Sequence, residues 1–324
     1  MISCGDEDID YRQEMRDFVQ NISAYAKALS PLFLIVPQNA GELLTRDGIP
    51  GGIPDSRYLG ALDGLGREDL YYGYEEDNRR TPPAETAQME AWLDLAERNS
   101  VEALVIDYCW TERFVDDSYA RAAARGYISF AADFRELHNI PDYPAAPFRV
   151  HAGDVSGLKS ARNFLYLINT ALYPDKQSFL EDLRNTDYDL LVVDLFFEGN
   201  SVLNRADVDS LKHKSRGGSR LVLAYMSIGE AEDYRYYWNE AWRTSPPAWL
   251  DAENPDWPGN FKVRYWMKDW QDIIFGNDAS YCRKILDSGF DGAYLDLIDA
   301  YEYYEERAKF LKKLRSAFSA WDRR

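Results

Sequence analysis

The chain has 324 residues, with 37 Lys and Arg against 55 Asp and Glu, which gives a formal charge of -18 at pH 7. Hydrophobic residues make up 46% of the chain and aromatic residues 15%, so a large core is available and disordered or fibrous classes are excluded. The acidity argues against a nucleic-acid partner, because binding phosphates requires clustered Lys and Arg. The length allows one large barrel or two ordinary domains.

The amino terminus resembles the mature end of a bacterial lipoprotein. Cys4 follows a small residue and precedes an acidic run, so it would carry the lipid after an upstream hydrophobic segment has been removed. We therefore predict a flexible lipoprotein-type segment over residues 1–10, an extracytoplasmic location, and membrane contact only through a lipid on Cys4. The alternative is a disordered cytosolic terminus with a chance cysteine. Three cysteines without a C-x-x-C motif do not predict a disulfide scaffold or a zinc site.

Short apolar runs alternate with helical patterns along the chain. The runs are short and lack regular alternation, which is typical of parallel strands buried on both faces. The predicted strands are 32–36, 70–74, 101–108, 127–132, 164–169, 190–196, 220–226 and 292–297. The predicted helices between them are 86–98, 117–125, 176–183, 206–212 and 279–288.

This alternation predicts an α/β fold, a (β/α)8 TIM barrel that occupies residues 11–324 as a single domain. A doubly wound sheet is the main competitor. Such a sheet would usually show a glycine-rich phosphate turn after a strand, and the chain contains neither G-x-G-x-x-G nor G-x-x-x-x-G-K-[ST].

Polar and acidic residues recur where the predicted strands end, which is where barrel enzymes place their chemistry. A single acidic strand end is equally explained by capping of the following helix. Several around one ring suggest carboxylates that raise one another's pKa, as glycoside hydrolysis requires. The residues at these positions are Gln38, Asn39, Asp107, Tyr108, Trp110, Asp194, Tyr225, Ser227, Glu230, Asp296 and Asp299, while Glu68 shortly precedes the second predicted strand.

Metal binding is the rival use of such carboxylates. It would employ Asp194, Glu230 and Asp296, but the histidines at 138, 151 and 213 are not at strand ends. We predict no metal and no cofactor. Serine nucleophile chemistry lacks a G-x-S-x-G motif.

Six of the nine tryptophans fall within residues 238–270, a proline-containing stretch expected to form a loop at the barrel mouth. Trp249, Trp257 and Trp266 are candidate platforms for sugar rings, whose apolar C–H faces pack on indoles. Trp238 and Trp242 are spaced to share a helix face, and packing in the core explains any single tryptophan equally well.

Around this block the chain resembles glycoside hydrolase family 114, the endo-α-1,4-polygalactosaminidase family, in its bacterial and archaeal branch of largely uncharacterised proteins. The resemblance covers about residues 188–301 and rests on motifs that occur in order. They are the runs 224–235, 237–238, 254–255, 257–261, 265–266 and 289–301. The family is a (β/α)8 barrel, which agrees with the strand count.

The resemblance also suggests a circular permutation. Residues 34–39 and 65–72, with the helix 11–29 before them, resemble segments that normally follow the Ile-Asp-Ala-Tyr motif ending at Tyr301. Here they open the chain, and a different helix, 302–321, closes it. Barrel termini lie close together, so moving the break preserves the fold. The hypothesis requires parallel pairing between 32–36 and 292–297.

The resemblance implies roles for the acidic residues. Asp296 matches the family's catalytic aspartate and would be the nucleophile, while Glu68 would be the general acid/base, with Glu230 in reserve. A retaining mechanism needs the two carboxyl groups ~5–5.5 Å apart, and inversion ~6.5–9.5 Å. The remaining strand-end residues, the three candidate tryptophans and Tyr301 are predicted to bind substrate.

The sequence thus predicts a glycosidase that acts on an α-linked polysaccharide or oligosaccharide, amino-sugar polymers included. The alternative is a carbohydrate-binding lipoprotein that keeps the barrel without turnover.

Overall fold

Eight parallel strands and the helices between them make up the computed structural model, which describes residues 9–199 and 201–321. The parallel strands are β1 (Leu34–Pro37), β2 (Gly64–Glu68), β3 (Glu102–Tyr108), β4 (Ile128–Ala132), β5 (Leu165–Leu167), β6 (Leu190–Asp194), β9 (Leu221–Ser227) and β13 (Gly292–Asp296). Short additional strands are β7 (Phe196–Phe197), β8 (Ser201–Val202), β10 (Glu230–Glu232), β11 (Leu250–Glu253) and β12 (Asn260–Val263).

The helices connect the strands along the outside of the sheets. They are α1 (Tyr11–Leu29), α2 (Ser56–Leu59), α3 (Pro83–Arg98), α4 (Glu112–Arg125), α5 (Lys176–Arg184), α6 (Arg205–Leu211), α7 (Lys268–Ile274), α8 (Tyr281–Ser288) and α9 (Tyr301–Trp321). Asp10 is the N-cap of helix α1, and its carboxylate accepts a hydrogen bond from the Gln13 N–H. Among the described residues, no helix combines the length and the apolar character needed to cross a membrane.

The parallel strands form two sheets whose edges are linked. One sheet has the order β1-β13-β9-β6-β5 and the other β2-β3-β4. Isolated parallel bridges join Gln38 to Gly66, next to β1 and β2, and Ser129 to Asn163, next to β4 and β5. The pairing of β1 with β13 is parallel and runs from Leu34–Gly292 to Pro37–Leu295. The pairing that the permutation hypothesis requires is therefore present.

The predicted strands agree with the observed ones to within a few residues, except for the second. Residues 70–74 form a loop, and the strand is β2, six residues earlier. Leu70, Tyr71 and Tyr72 are fully buried, which explains their apolar character. The N–H groups of Tyr71 and Tyr72 donate to the Asp107 carboxylate instead of a strand ladder.

Strand β2 was obscured by its glycines. A Cβ on Gly66 would lie 1.9 Å from the Tyr294 hydroxyl, so the bulk of Tyr294 on β13 leaves room only for glycine. Tyr166 on β5 packs against Tyr294 with ring centroids 5.1 Å apart. The rings of Tyr294 and Tyr166 thus fill the space between the sheets, and Gly66 on β2 leaves room for them. This arrangement brings Glu68, the last residue of β2, to a carboxyl-terminal strand end.

The aromatic stretch 238–270 is predicted to be mostly loop, but it contains β11 and β12, which form a small antiparallel sheet with β10 in the order β10-β12-β11. Glu230 lies opposite Lys262 in this sheet, and their side chains form an ion pair. The sheet follows β9 directly, so it stands at the carboxyl-terminal edge of the parallel strands.

Candidate active site

A cavity of about 650 Å³ opens at the carboxyl-terminal ends of the parallel strands. Most of the predicted site residues meet there. Those that line it are Gln38, Asn39, Glu68, Tyr108, Asp194, Tyr225, Glu230, Trp257, Asp296 and Asp299. A volume of this size suits a small-molecule or oligomer-segment ligand.

Glu68 and Asp296 face each other across the side chain of Gln38. The Gln38 Nε2 donates to Glu68 Oε2 at 2.9 Å and to Asp296 Oδ1 at 3.2 Å. Because they share one nitrogen, the two oxygens lie at most about 6 Å apart. This bound is compatible with the ~5–5.5 Å carboxyl separation of retaining glycosidases.

Further donors hold each carboxylate in place. Glu68 accepts hydrogen bonds from the Tyr108 hydroxyl at Oε1 and from Asn39 Nδ2, 3.2 Å from Oε2. Asp296 accepts one from the Tyr225 hydroxyl at 2.8 Å and one from the Leu297 N–H at 2.8 Å. Both carboxylates are therefore oriented by neighbouring strand ends.

The backbone after β13 is arranged to make this possible. Leu297 has φ 59°, a left-handed conformation that leucine rarely adopts, and its N–H turns back to Asp296. A Cβ on Gly229 would lie 2.1 Å from the Leu297 carbonyl oxygen, so the chain after β9 must pass close to this turn. A strained backbone at a carboxylate in a cavity is typical of a functional site.

Burial dominates the electrostatics of the pair. Burial raises the pKa of Glu68, and the charge of Asp296 raises it further, against the hydrogen bonds from Tyr108 and Asn39. Burial raises the pKa of Asp296 to about 6, although Tyr225 and the Leu297 N–H favour its ionised form. Nearby Asp299 also has its pKa raised to about 6, by burial and by the charges of Glu302 and Glu68. Neither Glu68 nor Asp296 makes an ion pair within the described ranges.

Asp194, in contrast, is bound to a cation. Arg235 donates from both terminal nitrogens to Asp194, at 2.8 and 2.7 Å, and also binds Glu232. Burial alone would lower the pKa of the Arg235 guanidinium. The negative charges of Asp194 and Glu232 have the larger effect, so this pKa is raised. These two carboxylates line the cavity, and both form ion pairs with the same guanidinium.

Glu230 is likewise paired. Its Oε1 accepts hydrogen bonds from Asn254 Nδ2, at 2.8 Å, and from the Lys262 ammonium. The Ser227 hydroxyl donates to the Glu230 backbone carbonyl, so Ser227 supports this turn and does not itself line the cavity. Glu230 Oε2 is buried without a protein partner. The ion pair with Lys262 distinguishes Glu230, the reserve acid/base, from Glu68.

The metal alternative is not supported by this arrangement. Asp194 forms an ion pair with Arg235, and Glu230 forms one with Lys262. Asp296 accepts a hydrogen bond from the Tyr225 hydroxyl. Over residues 9–199 and 201–321, no group of three His, Cys, Asp or Glu side chains is placed to hold an ion.

Two predicted substrate-binding residues on β3 and after it lie elsewhere. Asp107 is fully buried and accepts hydrogen bonds from Tyr71, Tyr72 and the Ser118 hydroxyl. It holds the loop after β2, so the substrate-binding prediction for Asp107 is wrong in its geometry. Trp110 is 54% exposed but does not line the cavity.

Three of the predicted aromatic contacts are packing residues. Trp249 is 3% exposed and packs between Trp242 and Trp270, with ring centroids 5.0 Å from each. Trp266 packs on Tyr11 and Tyr304. Tyr301 is fully buried and its hydroxyl faces Glu42. Trp257, at 54% exposure, is the predicted tryptophan that lines the cavity.

Several cavity residues escaped the sequence prediction, notably Arg135, Tyr166, Glu232 and Arg235. Glu232 and Arg235 lie three residues apart inside the run 224–235, a spacing that could have suggested their ion pair. Arg135 packs over the Tyr108 ring and binds Asp69 and Asp77, and no local motif marks it. Cys4 falls outside the described residues.

Residues 163–318 match the model of glycoside-hydrolase family GH114. The match begins just before β5 and ends within α9, so it contains Asp194, Glu230 and Asp296. Gln38, Glu68 and Tyr108 lie outside it. The match supports a glycosidase with an α/β fold and a carbohydrate substrate.

Three curated relatives, all named as uncharacterised proteins, each match part of the chain. One from Methanocaldococcus jannaschii is 39% identical over 136 residues, 41% of this chain and 37% of its own length. One from Thermotoga maritima is 34% identical over 151 residues, 47% of this chain and 45% of its own. One from Deinococcus radiodurans is 39% identical over 131 residues, 40% of each chain. The matched segment thus spans less than half the length of each relative.

Proposed function

We propose that this protein is a member of glycoside hydrolase family 114 that cleaves an α-linked polysaccharide with retention of configuration. Amino-sugar polymers are the first substrates to test, because the cavity is lined by many carboxylates and favours a cationic chain. The observation that carries the proposal is the Glu68–Asp296 pair, bridged by Gln38 and free of ion pairs within the described residues.

In the proposed reaction the Asp296 carboxylate attacks the anomeric carbon while protonated Glu68 gives its proton to the departing glycosidic oxygen. The bond to the leaving sugar breaks as the bond to Asp296 forms. Glu68, now ionised, then takes a proton from water, whose oxygen displaces Asp296. The raised pKa of Glu68 suits an acid, and the donors from Tyr225 and Leu297 stabilise the ionised nucleophile.

We propose further that the eight parallel strands form a closed (β/α)8 barrel, permuted relative to the family. The bridges Gln38–Gly66 and Ser129–Asn163 link the two sheets at both edges, which supports closure. Parallel pairing of β1 with β13 is required by the permutation but occurs in any barrel. Only 37% to 45% of each relative is matched. A circular permutation would have this effect, because the segments on the two sides of the moved chain break cannot be aligned in one continuous match.

The alternative is a carbohydrate-binding surface protein without turnover. Both functions use Trp257 and the cavity, but only hydrolysis needs Glu68 to exchange a proton and Asp296 to form a bond with the sugar.

We also propose that the protein is an extracytoplasmic lipoprotein anchored at Cys4. Mass spectrometry of the amino-terminal peptide from a membrane fraction would test this.

The deciding experiment is an assay for new reducing ends on a panel of α-linked polysaccharides, with α-1,4-linked galactosamine polymers among them. The wild type should release oligosaccharides, and Glu68→Gln and Asp296→Asn should not, while both variants keep affinity for the polymer. Binding without release by the wild type on every polymer would favour the non-catalytic alternative.

A further inference from the structure

A second cavity, of about 550 Å³, lies at the opposite edge of the parallel strands. Gly126 and Tyr127 line it just before β4, and Ala161 and Arg162 line it shortly before β5. The Glu68–Asp296 cavity is at the carboxyl-terminal ends of the strands. The second cavity therefore takes no part in the chemistry proposed for that pair.

Its charge is opposite to that of the chain as a whole. Arg149, His151, Lys159 and Arg162 line it, with Asp154 as its one acidic lining residue. The Asp154 carboxylate is engaged by the Ser219 N–H at 2.8 Å. Within the part of the chain that the structure describes, Arg149, Lys159 and Arg162 are in no ion pair. A protein with net charge -18 thus leaves three cations without carboxylates around one cavity.

The wall of this cavity is rigidly built. Lys214 is buried, and its ammonium donates to the carbonyls of His151 and Gly153 and to Asp189. The His151 ring contacts the same carboxylate at 3.1 Å. Residues 151–153 are thereby fixed to the start of β6. The buried Asp189 carboxylate is bound to Lys214 and His151.

The loop that carries Lys214 fits closely against this wall. Gly218 has φ +81°, and a Cβ there would lie 2.5 Å from the Ala152 carbonyl oxygen. A side chain at this position would push the wall away. The backbone of residues 151–153 is therefore held in place on one side of the cavity, which reduces the entropy lost by this wall when a ligand binds.

We propose that this cavity binds a phosphate group, carried by a soluble monoester or by a lipid headgroup. Arginine guanidinium groups form paired, charge-assisted hydrogen bonds with the oxygens of such anions, and lysine adds a point charge. A volume of about 550 Å³ exceeds what one inorganic ion needs and leaves space for the group to which the phosphate is attached. The net negative charge elsewhere opposes unspecific binding of anions, so affinity depends on these side chains.

The test is calorimetric titration of the intact protein with inorganic phosphate and with glucose 6-phosphate, at low and constant ionic strength. The triple variant Arg149→Gln, Lys159→Gln and Arg162→Gln removes the three cations, all of which are exposed and outside the core. Arg46→Gln is the matched control, because Arg46 is also exposed and unpaired in the described structure but belongs to the loop after β1.

We expect saturable binding that weakens by at least about tenfold in the triple variant, as loss of charge-assisted hydrogen bonds implies, and is unchanged in Arg46→Gln. A parallel arm uses vesicles of phosphatidylglycerol and of phosphatidylcholine. Binding to phosphatidylglycerol alone, abolished in the triple variant, without binding of the soluble probes, identifies the headgroup as the source. No saturable binding in either arm, or equal binding by the triple variant, overturns the proposal.

Discussion

Two groups of carboxylates share one cavity but differ in their partners. Asp194, Glu232 and Glu230 are bound to Arg235 or Lys262. Glu68 and Asp296 are held by the amide of Gln38 and by tyrosine hydroxyls instead. Ion pairs hold the first group in place, where it shapes the cavity, whereas neutral donors hold Glu68 and Asp296 without a cation. The difference separates residues that shape the cavity from residues proposed to react.

The largest expected effect is that of Asp296→Asn. We predict a loss of activity on the order of 10⁴-fold, as for removal of a nucleophile. The pKa of Asp296 is raised from 3.8 to about 6, so the folded state holds this proton more tightly, and the contribution of Asp296 to stability declines as pH rises through that window. The variant should therefore raise the free energy of unfolding at pH 7, by roughly 1–2 kcal/mol after allowance for partial exposure.

Urea unfolding at pH 7 and at pH 4 checks this sign, because the stabilisation should shrink at the lower pH. An Asp296→Asn variant that is less stable than the wild type at pH 7 would contradict the assignment of an unpaired, destabilising carboxylate.

The paired group should respond in the opposite way. Arg235→Gln leaves Asp194 and Glu232 buried without their cation, and we predict that the free energy of unfolding falls by about 3–5 kcal/mol. Adding Asp194→Asn and Glu232→Gln should restore part of the loss, because no buried charge then remains. Chemical denaturation measures both. A loss below about 1 kcal/mol in the single variant would mean that the ion pairs do not hold the cavity together.

The aromatic residues show the same division between packing and exposure. Trp249→Ala should cost about 3–5 kcal/mol of stability, because it removes a buried ring from between Trp242 and Trp270. Trp257→Ala should change stability by no more than about 0.5 kcal/mol. It should instead raise KM for long substrates while kcat changes little. Equal stability losses in the two variants would remove the distinction.

The smallest predicted effect is a displacement of the pH profile. The Tyr225 hydroxyl favours ionised Asp296, so Tyr225→Phe raises the pKa of Asp296 further. Activity requires the ionised nucleophile, and its acid limb, expected near pH 6 in the wild type, should move upward by roughly one unit. Initial rates between pH 4 and 9 measure this limb. An unmoved limb would show that another group controls it.

Much of the fold could be predicted because parallel strands buried on both faces form uniform apolar runs. The exception is instructive. Strand β2 contains Gly66 to make room for the Tyr294 ring, and the sequence 70–74 is apolar because Leu70, Tyr71 and Tyr72 are buried in a loop. Local pattern cannot separate these cases, since the reason for glycine lies on β13.

The sequence predicted several of the acidic residues of the candidate site, but not which of them form ion pairs. Strand ends place Asp296 and Asp194 at one edge, and that follows from topology. Glu68 precedes the strand predicted at 70–74 and reaches the same edge because the strand is β2, which ends at Glu68. Whether a carboxylate is neutralised depends on cations that arrive from distant segments, such as Lys262 on β12 and Arg135 in the loop after β4. The sequence did not separate the packed tryptophan from the exposed one for a similar reason. Trp249 and Trp257 differ in burial, which depends on distant contacts that local sequence does not mark.

The most direct test of the proposed pair is to trap its covalent intermediate. Glu68→Gln cannot activate water, so a substrate whose aryl leaving group needs no protonation should leave the sugar attached to the protein. Peptide mass spectrometry should then locate the adduct on Asp296, and azide should release it as a glycosyl azide of retained configuration. An adduct on Glu230 or another carboxylate, or a product of inverted configuration, would contradict the account.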